Sequence, residues 1–509
     1  MISDRLASAL DTFIPDAIRV TRTPGLTFAI ADSSGLAYSR AFGMADLGTP
    51  TVMRRDHVIR AGSISKLVVA AAVLQLHDRG HLRIDAPISD YTDLVATNPR
   101  DQTRVTAYHL LTHTSGLRWD TNDASLTAPL PLHEHLQQGL RSPRGREYGG
   151  RGARWTAPTG QFQYSNFGFG MLGQLVATTN PDGLSFSDYV AREIFGPLAL
   201  RSTSIPAPTA PGEDESCRAT GYGVFGSWGV PCPPIHSAVY PGAGLLTTAE
   251  DCVKFLAALF LPDHSHYGAL VQPSSILTMV NQHVTTLVED QVYGFGLGVA
   301  MGDLDSPNAW IGIGGQYPFG WCSFARVYPH HGVAVVAMSN AFDMARWFQP
   351  PSRTAAGLSA EFVARWLSGE IYDRPGSWSS RSAYAAGLLF GDRICGLLNA
   401  DGPLRHDTIV AMAAGARPLH ADRTTWDAEA FARGAATATA AAPDPVAIRT
   451  LVDLQTGRLD LDLQALAWGA STAAFPAPMP FWADAQGEQD HHLPHLDLYG
   501  GEVRGGTAV

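Results

Sequence analysis

The sequence predicts an α+β fold: an antiparallel sheet flanked by helices, with a helical lobe in the middle and a separate C-terminal accessory domain. Three observations predict it. Strand-like runs stand at Leu26–Ala31 and Leu36–Ser39, and again at Val292–Val299, Cys322–Tyr328 and Val333–Ser339. Between them, residues 82–235 alternate short helical patterns with loops rich in Gly, Pro and Arg, most of all from Arg141 to Pro158. Past Arg374-Pro375-Gly376 the texture changes to an Ala-rich stretch with the low-complexity run Ala435–Ala442 and weak alternation at Leu459–Leu463. The expected division is a catalytic domain over 1–372 and an accessory domain over 377–509, because 509 residues exceed one ordinary core.

Taken in order, residues 5–21 read as a surface helix, and the two runs flanking Ser33-Ser34-Gly35 as a β-hairpin. Leu67–His77 is an apolar helix that Gly80 stops. Thr247-Thr248-Ala249-Glu250 opens another, with a threonine cap and early acids. Pro329-His330-His331-Gly332 is a hairpin turn between two late strands. A helix over Ala355–Leu367 closes the unit.

Composition narrows the function. The chain is 45% hydrophobic and 16% charged, a globular balance, and its net charge of −11 argues against nucleic acid or an anionic membrane as partner. No run of about 18 apolar residues predicts a membrane span, and no secretory signal is visible, so the cytoplasm is the expected compartment. Five cysteines without C-x-x-C spacing argue against a disulfide framework and a zinc site. No metal or other cofactor is expected.

Only two lysines occur, against 34 arginines, and one is in Ser63-Ile64-Ser65-Lys66. Unlike arginine, a buried lysine can lose its proton and act as a base. On a helix, residues three apart share a face, so Ser63 and Lys66 read as a nucleophile beside its base. The tetrapeptide alone also arises by chance; its place between Gly62 and an apolar helix is the stronger signal. Lys254, on an amphipathic helix, reads as solvated. The acidic run Glu213-Asp214-Glu215 reads as a solvated loop, and Asp490-His491-His492-Leu493-Pro494-His495 as an exposed loop in preference to a metal site.

Several segments in order carry a resemblance: Pro24–Thr27 with Gly43–Asp46, Gly62–Lys66, Leu82–Ile88, His109–Leu117, Tyr164-Ser165-Asn166, Ile194–Leu198 and Gly242–Asp251. Across about residues 20–345 the chain resembles the serine β-lactamase and penicillin-binding-protein superfamily, in its class C-like branch. That branch includes D-aminopeptidases, esterases and stand-alone peptide cyclases. The resemblance implies a transpeptidase-like sheet with a helical lobe, and catalysis by Ser63, Lys66, Tyr164 and Asn166. Tyr164 would relay the proton and Asn166 would bind Lys66 and the substrate; an ammonium nearby lowers a phenol's pKa from its usual value of about 10. It implies structural roles for His109 and His113. It also suggests a β-barrel as the counterpart of 377–509.

One element departs from the family pattern. Where a lysine or histidine begins the third motif, the chain reads Trp310-Ile311-Gly312-Ile313-Gly314-Gly315-Gln316, with Ile313 at the basic position. Some esterases of this branch carry an aromatic residue there. The oxyanion-binding stretch would be Gly314, Gly315 and Gln316, with backbone N–H groups of Ser63 and Gln316 as donors, worth roughly 3–4 kcal/mol. The expected function is a serine acyl hydrolase or acyltransferase working through an acyl-enzyme on an amide, peptide or ester. The substrate would be a small molecule, a peptide or an acyl group, carrier-bound ones included. A peptide macrocyclase, or a non-catalytic binding protein on the same scaffold, are the alternatives.

Overall fold

The computed structural model describes residues 3–118, 124–125, 129–141, 155–208, 217–225, 228–232, 236–261, 270–281, 283–288, 291–302, 308–317, 320–343 and 354–367, with short stretches between 406 and 437. Two compact units divide the chain: residues 22–360 are the body of one, and residues 3–21 with 361–476 form the other. The expected boundary at 372–377, the barrel, the acidic run at 213–215 and the histidines at 491, 492 and 495 lie outside the described residues.

Helix α1 (Asp4–Val20) starts at Ser3, whose hydroxyl accepts the Leu6 N–H. Its Leu6, Leu10, Phe13, Ile14 and Ala17 recur at helical spacing and are all buried, so one face of the expected surface helix is core. Phe13 stacks on Phe362 at 4.3 Å within the same unit.

The hairpin follows as expected: β1 (Gly25–Asp32), buried along its whole length, and β2 (Gly35–Asp46). Two short strands, β3 (Thr51–Val52) and β4 (Ile59–Gly62), precede α2 (Ser65–Asp78). Every residue of α2 from Ser65 to Leu76 is buried, as befits a helix apolar all round. Each such Val or Leu contributes about 1.5–3 kcal/mol. Within the middle region come α3 (Ala107–Leu111), β5 (Ala124–Ser125), α4 (Leu132–Arg141), α5 (Asn166–Thr179) and α6 (Phe186–Val190).

The expectation of a helical lobe as far as residue 235 is corrected at its end. There the chain forms β6 (Tyr222–Phe225), β7 (Trp228–Pro231) and β8 (His236–Ser237). Tyr222, Gly223 and Val224 are all buried, so no period-two alternation marks this strand in the sequence. Then come β9 (Leu245–Thr247), α7 (Ala249–Phe260), capped by Thr248 as predicted, and α8 (Pro273–Val280).

The late strands are β10 (Val284–Val288), β11 (Gln291–Phe295), β12 (Ala300–Gly302), β13 (Trp310–Tyr317), β14 (Trp321–Tyr328), β15 (Val333–Ser339) and β16 (Ala341–Asp343). The run expected over Val292–Val299 ends at Phe295. A Cβ on Gly296 would meet the Met279 carbonyl oxygen at 1.9 Å, and Gly298 turns the chain with φ +74°. Helix α9 (Ala355–Leu367) has the expected bounds.

Among the described residues the main sheet has the order β10-β11-β12-β13-β14-β15-β1-β2-β3, antiparallel throughout. The N-terminal hairpin thus pairs with strands 300 residues away, Leu26 opposite Ser339. Helix α7 covers β1, β2, β14 and β15 on one face. Strand β4 pairs with β9 and lies against β13 and β14, which brings the residue after Gly62 to the edge of β13. Among the described residues, no helix is long and apolar enough to cross a membrane.

Candidate active site

Four local devices put Ser63 in place. Gly62 adopts φ +56°, a left-handed conformation suited to glycine, and a Cβ there would stand 3.2 Å from both N and O of Gln316. Ser63 itself precedes helix α2, in a tight turn whose Lys66 N–H donates to Ser63 O at 3.0 Å. The i, i+3 relation expected of a helix therefore survives just outside one. Ser65, which sequence reasoning passed over, staples the turn: its hydroxyl donates to Gly62 O at 2.7 Å and accepts the Leu245 N–H at 2.9 Å. Gly315 lets β13 touch β4, and Ser323 Oγ donates to Ala61 O at 2.7 Å across the same seam.

Tyr164 and Asn166 come from the start of α5. Ser165 caps that helix, accepting the Gly168 N–H at 3.1 Å, so Tyr164 stands just outside and Asn166 at the first helical position. Tyr164 reaches Ser63 and Asn166 reaches Lys66. Ser63 Oγ and Tyr164 Oη are 2.6 Å apart, Lys66 Nζ is 3.1 Å from Ser63 Oγ, and Lys66 Nζ donates to Asn166 Oδ1 at 2.6 Å. A third partner was not foreseen: the Gly242 carbonyl accepts from Lys66 Nζ at 2.8 Å. Gly242, read only as the start of a family segment, was its signal in the sequence. Lys66 Nζ also lies over the rings of Tyr164 (4.8 Å) and Phe169 (5.4 Å).

Lys66 is 0% exposed and Ser63 8% exposed, so the amine is sealed while the hydroxyl keeps an opening. A buried ammonium alone would cost several kcal/mol, and the acceptors around Nζ offset that. Asn166 Oδ1 and Gly242 O can only accept, so they take two of its N–H groups. The remaining position faces Ser63 Oγ. There, a charged Lys66 donates to the serine, and a neutral Lys66 accepts its proton. The same heavy-atom geometry serves both states, and Tyr164 Oη is the serine's other neighbour in each.

On β13, Ile313 is buried opposite Ala325, and Gly315 is buried against β4, while Gly314 and Gln316 are partly exposed. Isoleucine therefore occupies an apolar position. Of the two histidines read as structural, His109 forms a capping box with Thr106 at the head of α3. His113 stands behind Tyr164, ring centroids 4.3 Å apart. Lys254 lies 3.8 Å from Asp251 on α7, away from these residues in sequence and partly exposed. No group of three or more His, Cys, Asp or Glu among the described residues is placed to hold a metal ion.

A sheet with a helical lobe and a buried Ser–Lys–Tyr cluster define the class of serine acyl-transfer proteins of the penicillin-recognising type. The Beta-lactamase family profile matches residues 10–357, and the chain belongs to that family. It is 28% identical to Esterase EstB of Burkholderia gladioli over 385 residues, covering 66% of this chain and 90% of that protein. It is 27% identical to Penicillin-binding protein 4 of Amycolatopsis lactamdurans, covering 64% and 83%. Among solved structures, the D-amino acid amidase of Ochrobactrum anthropi SV3 in complex with L-phenylalanine amide shares the fold at TM-score 0.57 and 21% identity, covering 72% of this chain and 98% of that one. At the level of the family, the chemistry is that of serine acyl hydrolases.

Proposed function

We propose that Ser63 is the nucleophile of an acyl hydrolase that acts on uncharged esters or amides. The observation that carries it is the placement of Ser63 Oγ within hydrogen-bond reach of both Lys66 Nζ and Tyr164 Oη. Ser63 Oγ attacks the acyl carbonyl and its proton passes to Lys66. The tetrahedral oxyanion rests on the backbone N–H groups of Ser63 and Gln316, and Gly314 and Gly315 keep that strand close. As the carbonyl re-forms, Tyr164 gives its proton to the leaving alcohol or amine and regains one from Lys66. Water, deprotonated by the same pair, then attacks the acyl-enzyme and releases the acid and Ser63. Asn166 holds Lys66 and faces the substrate carbonyl.

Two observations support uncharged substrates. Ile313 offers no cation to a substrate carboxylate, and an esterase is 28% identical over 90% of its length. An amine in place of water would make the protein an acyltransferase or cyclase by the same acyl-enzyme, and product analysis separates the two.

A fluorophosphonate probe tests the reading. Wild-type protein should gain one adduct at Ser63 by mass spectrometry and Ser63→Ala none. Absence of label on folded wild-type protein would favour the non-catalytic scaffold. A p-nitrophenyl ester, with and without added amine, then identifies the acceptor from the product.

A further inference from the structure

Three consecutive residues around the phenol are each held by a different group of one histidine. The Gln163 N–H donates to the His113 carbonyl at 2.7 Å. The Ser165 N–H donates to His113 Nδ1 at 3.1 Å. The Tyr164 ring lies between them, tilted 31° to the imidazole at 4.3 Å. His113 is 1% exposed and adopts φ +58°, a conformation uncommon for a residue with a Cβ. That backbone is what lets its carbonyl, its Nδ1 and its ring face meet one segment. Phe169, 5.0 Å from the imidazole, closes the same box beneath Lys66.

We propose that His113 is a positioning residue for acylation: by holding Gln163, Tyr164 and Ser165 it sets the phenol against Ser63 and Asn166 against Lys66. This rests on the Ser63–Lys66–Tyr164 reading above. An Nδ1 that accepts a backbone N–H has no proton of its own, so the imidazole is neutral with its hydrogen on Nε2. Burial, and then the positive charge of Lys66, hold it well below its ordinary 6.5. Among the described residues, Lys66 from α2 and Tyr164 at the head of α5 are titratable groups that face it. A charged His113 would break the Ser165 bond and set a second cation beside Lys66.

Two substitutions separate its functions. His113→Phe keeps a ring and loses the acceptor; His113→Asn keeps an acceptor near Nδ1 and loses the ring. The phenol is followed without turnover by ¹³Cζ-tyrosine NMR, with the Tyr164 resonance assigned by Tyr164→Phe. Fluorophosphonate labelling is followed from pH 5 to 9. Both variants should move the Tyr164 resonance, slow labelling by about 10- to 100-fold, as expected for a misplacement near 1 Å, and change the pH profile. A Tyr164 resonance and labelling profile that match wild type in both variants would overturn the proposal. If wild type takes no label, the catalytic reading fails, and the Tyr164 resonance still decides whether His113 positions the phenol. If both His113 variants fail to fold, Gln163→Pro leaves the imidazole in place and removes the N–H given to the His113 carbonyl, and an unmoved Tyr164 resonance there counts against the proposal.

Discussion

A Cβ on Gly315 would lie 1.9 Å from the carbonyl oxygen of Ala61 and 2.5 Å from Ser323 Oγ. Strand β13 is therefore pressed against β4, the strand that leads into Ser63, and the contact with Ala61 is made by backbone, which cannot swing aside. Gly315→Ala should cost about 1–3 kcal/mol in denaturant unfolding from overpacking. It should also lower the labelling rate of the folded fraction by about 10²–10³, the effect of losing one oxyanion donor, because Gln316 moves with its neighbour. Gly332→Ala is the control. Its φ is +60°, nothing lies within 4 Å of the added methyl, and labelling should not change.

Lys66 and Tyr164 should separate in their effects on stability. Lys66→Met leaves Asn166 Oδ1 and Gly242 O without their buried donor. It should therefore cost about 1–3 kcal/mol for each orphaned acceptor as well as the activity. Tyr164→Phe removes one hydroxyl and should reduce labelling by about 10²–10⁴ with little change in the unfolding midpoint. Equal losses of stability in the two variants would contradict the described hydrogen bonds.

Four imidazoles, two buried and two half-buried, make stability depend on acid. Burial holds His57, His109, His113 and His283 below their ordinary 6.5. Between those lowered values and 6.5 the unfolded chain binds more protons than the folded one. Stability from these groups is thus present above about 6.5 and is lost as pH falls through the folded values. Urea midpoints measured from pH 7 down to 5 should decline, and His113→Asn should flatten the slope. A wild-type midpoint that is level across this range would refute the assignment.

Ile313 should set a preference among acyl donors. Neutral short-chain esters should show kcat/KM at least about tenfold above analogues with a carboxylate beside the scissile bond, a difference near 1.4 kcal/mol. Competition between paired substrates, read by product ratio, checks this. Parity between them would mean that another side chain supplies the missing charge.

Much of the fold was legible because its signals are short-range. The Ser33-Ser34-Gly35 turn marked the first hairpin, Thr248 marked the start of α7, and the apolar run after Lys66 marked α2. Strands β6 and β7 were missed because they are short and rich in glycine, and Tyr222 is held from elsewhere in the chain: its hydroxyl accepts the Leu47 N–H at 2.7 Å. The end of β11 was missed because the Met279 carbonyl that requires Gly296 is remote in sequence.

The amino-acid sequence by itself determined the pairing of Ser63 with Lys66, since a three-residue spacing needs only one turn of backbone. Tertiary structure decided their state. It brought Tyr164 to Ser63 across 101 residues and the Gly242 carbonyl to Lys66 across 176, and it closed Lys66 off from solvent. It also set the His113 ring 4.3 Å from that of Tyr164. The physical reason is range. Turns, caps and periodicity are written in neighbouring residues, whereas the acceptors around a buried amine are set by how distant segments pack.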